Sequence, residues 1–122
     1  MTVLLIEEAT PVRERLAEAV GELPGVSVQV QEPRRWGLEG MVRRLHPDVV
    51  LIDIHVPAGL RLLRRLHSAR RGQAPLIVAL ATTSAIPYRV KCHEAGAAFF
   101  FDRINEQDRL MESLAGIRDE LT

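Results

Sequence analysis

Pro47-Asp48-Val49-Val50-Leu51-Ile52-Asp53 is the stretch that decides the fold. Four apolar residues in succession leave no polar face, so the segment reads as a strand covered on both sides, as central strands of parallel sheets are. It stops abruptly on Asp53. The turn residues Pro57 and Gly59 follow, and then Leu62, Leu63 and Leu66 at helical spacing, so the unit is a strand feeding a crossover helix.

The same unit recurs on both sides. Upstream, Val3 to Ile6 reads as a buried strand, and Thr10 offers a hydroxyl cap with Pro11 at the first helical position before Val12, Leu16, Ala19 and Val20. Val26, Val28 and Val30 alternate with polar residues as in an edge strand, and Leu38, Met41, Val42 and Leu45 form a helical stripe that stops before Pro47. Downstream, Leu76 to Leu80 is a fourth strand and Thr82-Thr83-Ser84 a polar loop. Tyr88, Cys92 and Ala95 share a helical face closed by Gly96. Ala98 to Phe101 is the fifth strand. Asn105 is the expected cap of the last helix, with Asp108 in the reciprocal position and Leu110, Leu114, Ile117 and Leu121 as the buried stripe. Five strands alternating with five helices call for a three-layer α/β sandwich, because right-handed crossovers keep the strands parallel and put helices on both faces.

A length of 122 residues with 47% hydrophobic and 26% charged residues suits one domain, expected to span residues 1–122 with no output domain after the last helix. Sixteen basic and sixteen acidic residues cancel, which argues against a purely electrostatic partner such as nucleic acid or an anionic membrane. The charge is nonetheless segregated: nine arginines face three acids between Arg34 and Arg71. On helices, such a run makes either a solvated face or a docking surface for an acidic partner. The lone Cys92 excludes an internal disulfide, and no Cys/His cluster has zinc spacing, so a reducing, cytoplasmic setting is expected. No apolar run nears the roughly 20 residues of a membrane helix, and Glu7 and Glu8 close the first strand at once.

Ligands of such sheets gather at the strand C-termini, which directs attention to Glu7, Glu8, Asp53, Ala81, Thr82 and Arg103. Three carboxylates at neighbouring strand ends repel one another unless a hard dication or an arginine compensates, so a Mg2+-type site is implied, with Asp53 deepest. A carboxylate so placed can also attack a phosphoryl group. Acids at strand ends also serve as helix caps or solvated turn residues, and Glu7-Glu8 alone reads that way. His55 sits in an Asp-x-His segment like that of cobalamin-binding domains, but Gly59 falls one residue too late for that motif. Cys92 reads as a small core residue, and Trp36 as a packing residue at a helix start.

Taken end to end, the chain resembles the receiver domains of bacterial two-component response regulators. Leu4-Leu5-Ile6-Glu7-Glu8 is similar to the family's first strand with its acidic pair, and Pro47 to Asp53 to the run into the phosphoacceptor aspartate. Gly59 to Leu66 and Tyr88 to Ala97 resemble its third and fourth helices, and Phe100-Phe101-Asp102-Arg103 the end of its fifth strand. The resemblance implies a flavodoxin-like (βα)5 sandwich with strand order 2-1-3-4-5. It makes Asp53 the phosphoacceptor and implies Mg2+ held by Glu8, Asp53 and the main-chain carbonyl of His55, with Glu7 acting through water. Arg103 falls where the family has a lysine that neutralises a phosphoryl oxygen, and Phe100 falls at the switch aromatic position. Partners implied are a sensor histidine kinase or phosphotransfer protein, a downstream protein target, and a second copy through the face of helix 4, strand 5 and helix 5.

Several positions depart from the family pattern. Ala81 stands where a switch Ser or Thr is usual, with Thr82 adjacent as a substitute hydroxyl. Glu8 replaces Asp, Ile104 replaces Pro, and the loop after Asp53 is two residues short. Arg103 keeps the sign of lysine but forks bidentately, which changes reach and angle. Two functions therefore stand side by side: a Mg2+-dependent phosphoacceptor that signals by protein contact, and a phosphorylation-independent pseudo-receiver serving as an interaction module. A small-molecule binder of flavodoxin-like fold is disfavoured by the lack of a Gly-rich phosphate loop.

Overall fold

A computed structural model describes residues 1–32, 37–55, 59–68, 75–82 and 85–121. Its elements run β1 (Thr2–Ile6), α1 (Thr10–Gly21), β2 (Ser27–Gln31), α2 (Leu38–Leu45), β3 (Val49–Asp53), α3 (Gly59–Ser68), β4 (Leu76–Ala81), α4 (Ile86–Ala95), β5 (Phe99–Asp102) and α5 (Gln107–Leu121). The strands form one sheet in the order β2-β1-β3-β4-β5, and every pairing is parallel. This is the expected topology. β3 lies at the centre and is buried at all five positions, as its unbroken apolar run requires.

Alternation along the inner strands sorts the core into two layers. Leu4, Ile6, Val50, Ile52, Ile77, Ala79, Ala81 and Phe100 pack with residues of α2, α3 and α4. Val3, Leu5, Val49, Leu51, Val78, Leu80 and Phe101 pack with α1 and α5. Burial of each large aliphatic side chain contributes about 2 kcal/mol, and the sheet is held from both faces.

Local differences from expectation have local causes. The N-cap of α1 is Ala9, and Thr10 is already helical, its hydroxyl meeting Arg13. β4 runs one residue further, to Ala81, and β5 spans Phe99–Asp102 because the pairing of Ala81 with Asp102 extends the ladder. Asn105 does not cap α5. Its amide donates back to Asp102, and the Asp102 carboxylate accepts the N–H groups of Ile104 and Asn105. Tyr88 is not in the core: it lies at the first turn of α4 and stays largely exposed, while Cys92 and Ala95 are buried as read from the sequence. Trp36, Pro57, Thr83 and Ser84 lie outside the described residues.

Two glycines set the loops around the sheet. A Cβ at Gly59 would stand 2.9 Å from the carbonyl oxygen of Ile54 and 3.0 Å from that of Asp53, so α3 starts tight against the end of β3 only because the side chain is absent. Gly96 closes α4 at φ +115°, and the ring of His67 from α3 fills the space any side chain there would need.

Candidate functional site

The parallel register puts Ile6 beside Ile52, Asp53 beside Leu80 and Ala81 beside Asp102, so Glu7, Asp53, Thr82 and Arg103 emerge at one edge of the sheet. Three of them meet. Arg103 Nη1 donates to Glu7 Oε1 and, at 3.3 Å, to Asp53 Oδ2. Glu7 is 0% exposed and Asp53 4%, so Glu7, rather than Asp53, is the deepest acid. Backbone bonds hold the remaining atoms: Asp53 Oδ1 accepts the His55 N–H at 2.9 Å, and Glu7 Oε2 accepts the Glu8 N–H at 3.0 Å.

Arg103 is placed by its neighbours. Its N–H donates to the carbonyl of Ala81 at 2.9 Å, its own carbonyl accepts from Gln107 at 3.0 Å, and the turn after it is tied by Asp102. Those turn bonds, the Asn105 N–H first, hold the Asp102 carboxyl below the usual range. The Arg103 Nε is buried without a hydrogen-bond partner among the described residues. One guanidinium does not satisfy two buried acids: burial, followed by the hydrogen bond and charge of Asp53, pushes the Glu7 carboxyl up to about 7 against the lowering effect of Arg103.

Glu8 is exposed, and no group of three His, Cys, Asp or Glu side chains able to hold a metal ion is gathered among the described residues. The donor chemistry nevertheless fits a hard dication. Two carboxylates joined by one guanidinium, the Glu7 carboxyl raised first by its burial and then by Asp53, offer the oxygen ligands such an ion takes.

Around this trio lie Ala81, Thr82, His55, Tyr88 and Phe100, named from the sequence, and the structure adds Arg89 and Glu106 to them. Ala81 is fully buried, and its methyl carries no hydroxyl. The Thr82 N–H donates to His55 Nε2 at 3.2 Å, and Thr82 Oγ1 lies at 3.2 Å from the same atom. The His55 ring meets Tyr88 edge-on, centroids 5.7 Å apart at 66°. Phe100 is buried, with the Arg89 guanidinium 4.8 Å over its ring; Arg89 also pairs with Glu106, whose Oε1 accepts the Asp102 N–H. The Asp-x-x-Asn spacing from Asp102 to Asn105 was the available signal for the turn; nothing local signals the His55 or Arg89 contacts, which join separate loops and elements.

The family model for the response regulator receiver domain matches residues 3–115. Among curated proteins, the chain is 29% identical over 123 residues to protein-glutamate methylesterase/protein-glutamine glutaminase 2 of Koribacter versatilis, covering 98% of this chain and 32% of that protein. It is 32% identical over 97 residues to protein-glutamate methylesterase/protein-glutamine glutaminase 5 of Anaeromyxobacter dehalogenans, covering 78% and 26%. The chain thus spans about a third or less of the length of these relatives. Among solved structures, it matches the BeF3-activated N-terminal receiver domain of Klebsiella pneumoniae RstA with a TM-score of 0.82 at 25% identity, over 97% of this chain and 98% of that one. It matches a response regulator receiver protein from Pseudoalteromonas atlantica with a TM-score of 0.79 at 21% identity, over 100% of both. With the parallel 2-1-3-4-5 sheet and the acids gathered at its C-terminal edge, the chain belongs to the response regulator receiver domain family.

Proposed function

We propose that this receiver accepts a phosphoryl group on Asp53 in a Mg2+-dependent reaction and signals by protein–protein contact. The observation that carries the reading is a buried Asp53 at the end of the central strand with Arg103 donating to its Oδ2. An Asp53 oxygen attacks the phosphorus of a histidine kinase or phosphotransfer protein, the bond to the donor nitrogen breaks, and its electron pair leaves with the donor. Arg103 exchanges its carboxylate contacts for the charge on the transferred oxygens. Glu8, Asp53 and the carbonyl of His55 would hold Mg2+, with Glu7 acting through water. When bound, the ion neutralises carboxylate and phosphoryl oxygens together. The chain is an acceptor rather than an enzyme for other substrates, and its expected setting is the cytoplasm.

Output through α4, β5 and α5, to a downstream protein or a second copy, draws support from the exposed Ile86, Val90, Phe99 and Ile104 on that side. A second reading, a pseudo-receiver that binds partners without phosphorylation, is favoured by buried Ala81 at the switch position and by Phe100 clamped beneath Arg89. Intact mass after incubation with acetyl phosphate and Mg2+ separates the two. One added phosphoryl group that disappears in Asp53→Asn and without metal is the expected result; no adduct under conditions that modify an ordinary receiver overturns the first reading in favour of the second.

A further inference from the structure

Ala81 cannot offer a hydroxyl to a group on Asp53, yet Asp53 is connected to α4 by another route. The first link is the bond from the His55 N–H to Asp53 Oδ1 at 2.9 Å, which ties the backbone of residue 55 to the carboxylate. The second is the His55 side chain: Nε2 lies 3.2 Å from both the N–H nitrogen and the hydroxyl oxygen of Thr82. A backbone N–H can only donate, so Nε2 is the acceptor and the ring proton of this state resides on Nδ1. The third is the edge contact with Tyr88, in the first turn of α4. Residues 53, 55, 82 and 88 thus form one connected chain from the acid to a helix surface. Thr82 supplies a hydroxyl beside the sheet edge.

We infer that His55 is a positioning residue that holds Thr82 in the unmodified state and carries a change at Asp53 to Tyr88, in place of the hydroxyl Ala81 lacks. The inference rests on the phosphoacceptor reading and names its internal readout. Thr82 has one N–H and one O–H to give. A phosphoryl oxygen on Asp53 competes with His55 Nε2 for them, and hydrogen bonds to an anionic oxygen are roughly twice as strong as neutral ones. Thr82 moves to the phosphoryl group, the imidazole loses its two contacts, and the ring packed against Tyr88 is released. Phosphorylation then appears at the first turn of α4 as a change around an exposed tyrosine.

The test follows the Thr82 amide and the Tyr88 ring protons by NMR in the full chain, before and after acetyl phosphate with Mg2+, with intact mass recorded on the same samples. Two variants accompany the wild type: His55→Ala removes both contacts, and His55→Gln leaves an amide oxygen to accept from Thr82 but no ring for Tyr88. In wild type, both probes shift together as the adduct forms. In His55→Ala, which keeps the main-chain carbonyl, the Thr82 amide of the unmodified protein moves, and the Tyr88 response, scaled to the adduct recorded by intact mass in the same sample, is lost. His55→Gln restores the unmodified Thr82 signal without restoring the Tyr88 response, a split that a merely structural role would not produce. An adduct accompanied by an undiminished Tyr88 response in His55→Ala overturns the relay and leaves the phosphoacceptor reading standing. The absence of any adduct in all three proteins overturns both.

Discussion

Replacing Glu7 by Gln is expected to raise the stability of the metal-free protein relative to wild type as pH rises to neutral. The Glu7 carboxyl is fully buried and lifted from 4.5 to about 7 by burial and by Asp53. A group whose folded pKa is raised binds more protons folded than unfolded, so its contribution is fully present below pH 4.5 and is lost as pH rises through about 7. At 1.36 kcal/mol per pKa unit, that loss is of order 3 kcal/mol, a large fraction of the stability of a domain this size. Gln matches the protonated acid in charge: its oxygen still accepts from Arg103 and its NH2 can donate to Asp53, while the contact Oε2 accepts from the Glu8 N–H is lost, an offset that does not vary with pH. The assay is urea unfolding of both proteins with chelator present, at pH values spaced across that window. The difference between the variant and wild type isolates this one titration. It should grow in favour of Glu7→Gln as pH rises and level off above about 7. Parallel profiles, or a variant that loses stability relative to wild type as pH rises, would refute the reasoning.

Asp102→Ala removes the acceptor of three donors at the entrance to α5 and should cost about 2 kcal/mol in chemical denaturation at neutral pH. Because the Asp102 pKa is lowered from 3.8, its contribution is present above that value and fades as pH falls through the folded pKa, so the wild-type and variant curves should converge in acid. Gly59→Ala drives a methyl into the carbonyls of Ile54 and Asp53. A loss of about 1–3 kcal/mol is expected, with displaced amide signals at His55 by NMR; an unperturbed His55 would contradict the tight start of α3. Cys92 is buried, with its thiol pushed up by desolvation, so a thiol reagent should label it roughly a thousandfold faster in urea than in buffer. Comparable rates would place Cys92 outside the core.

The sheet was legible because its signals are local and redundant. The run from Val49 to Ile52, the alternation of Val26, Val28 and Val30, and Gly96 after a helical stripe each name an element without knowledge of its neighbours. Strand order and the gathering of Glu7, Asp53 and Arg103 follow once the family pattern is laid over those elements. What stayed illegible depends on distance in the chain. The depth ranking of Glu7 over Asp53 is set by how the last residues of β1 and β3 are covered, which spacing does not encode. Tyr88 has the period of a core residue but overhangs the first turn of α4, and its ring finds His55 across the site. Asn105 looks like a cap because of its type. Asp102, three residues earlier and at the end of a strand, wins the backbone donors because its charged carboxylate is the stronger acceptor.

The close seating of His67 on Gly96 makes α4 a lever. Its C-terminal end is the fulcrum, since neither the helix nor the turn into β5 can slide past α3 without forcing that ring aside. Its other end carries Ile86 and Tyr88 into solvent. Ten residues at 1.5 Å each give an arm of about 15 Å. A rotation of a few degrees about Gly96, small enough to leave Cys92 and Ala95 packed, sweeps Tyr88 through about an ångström, enough to remake a surface contact.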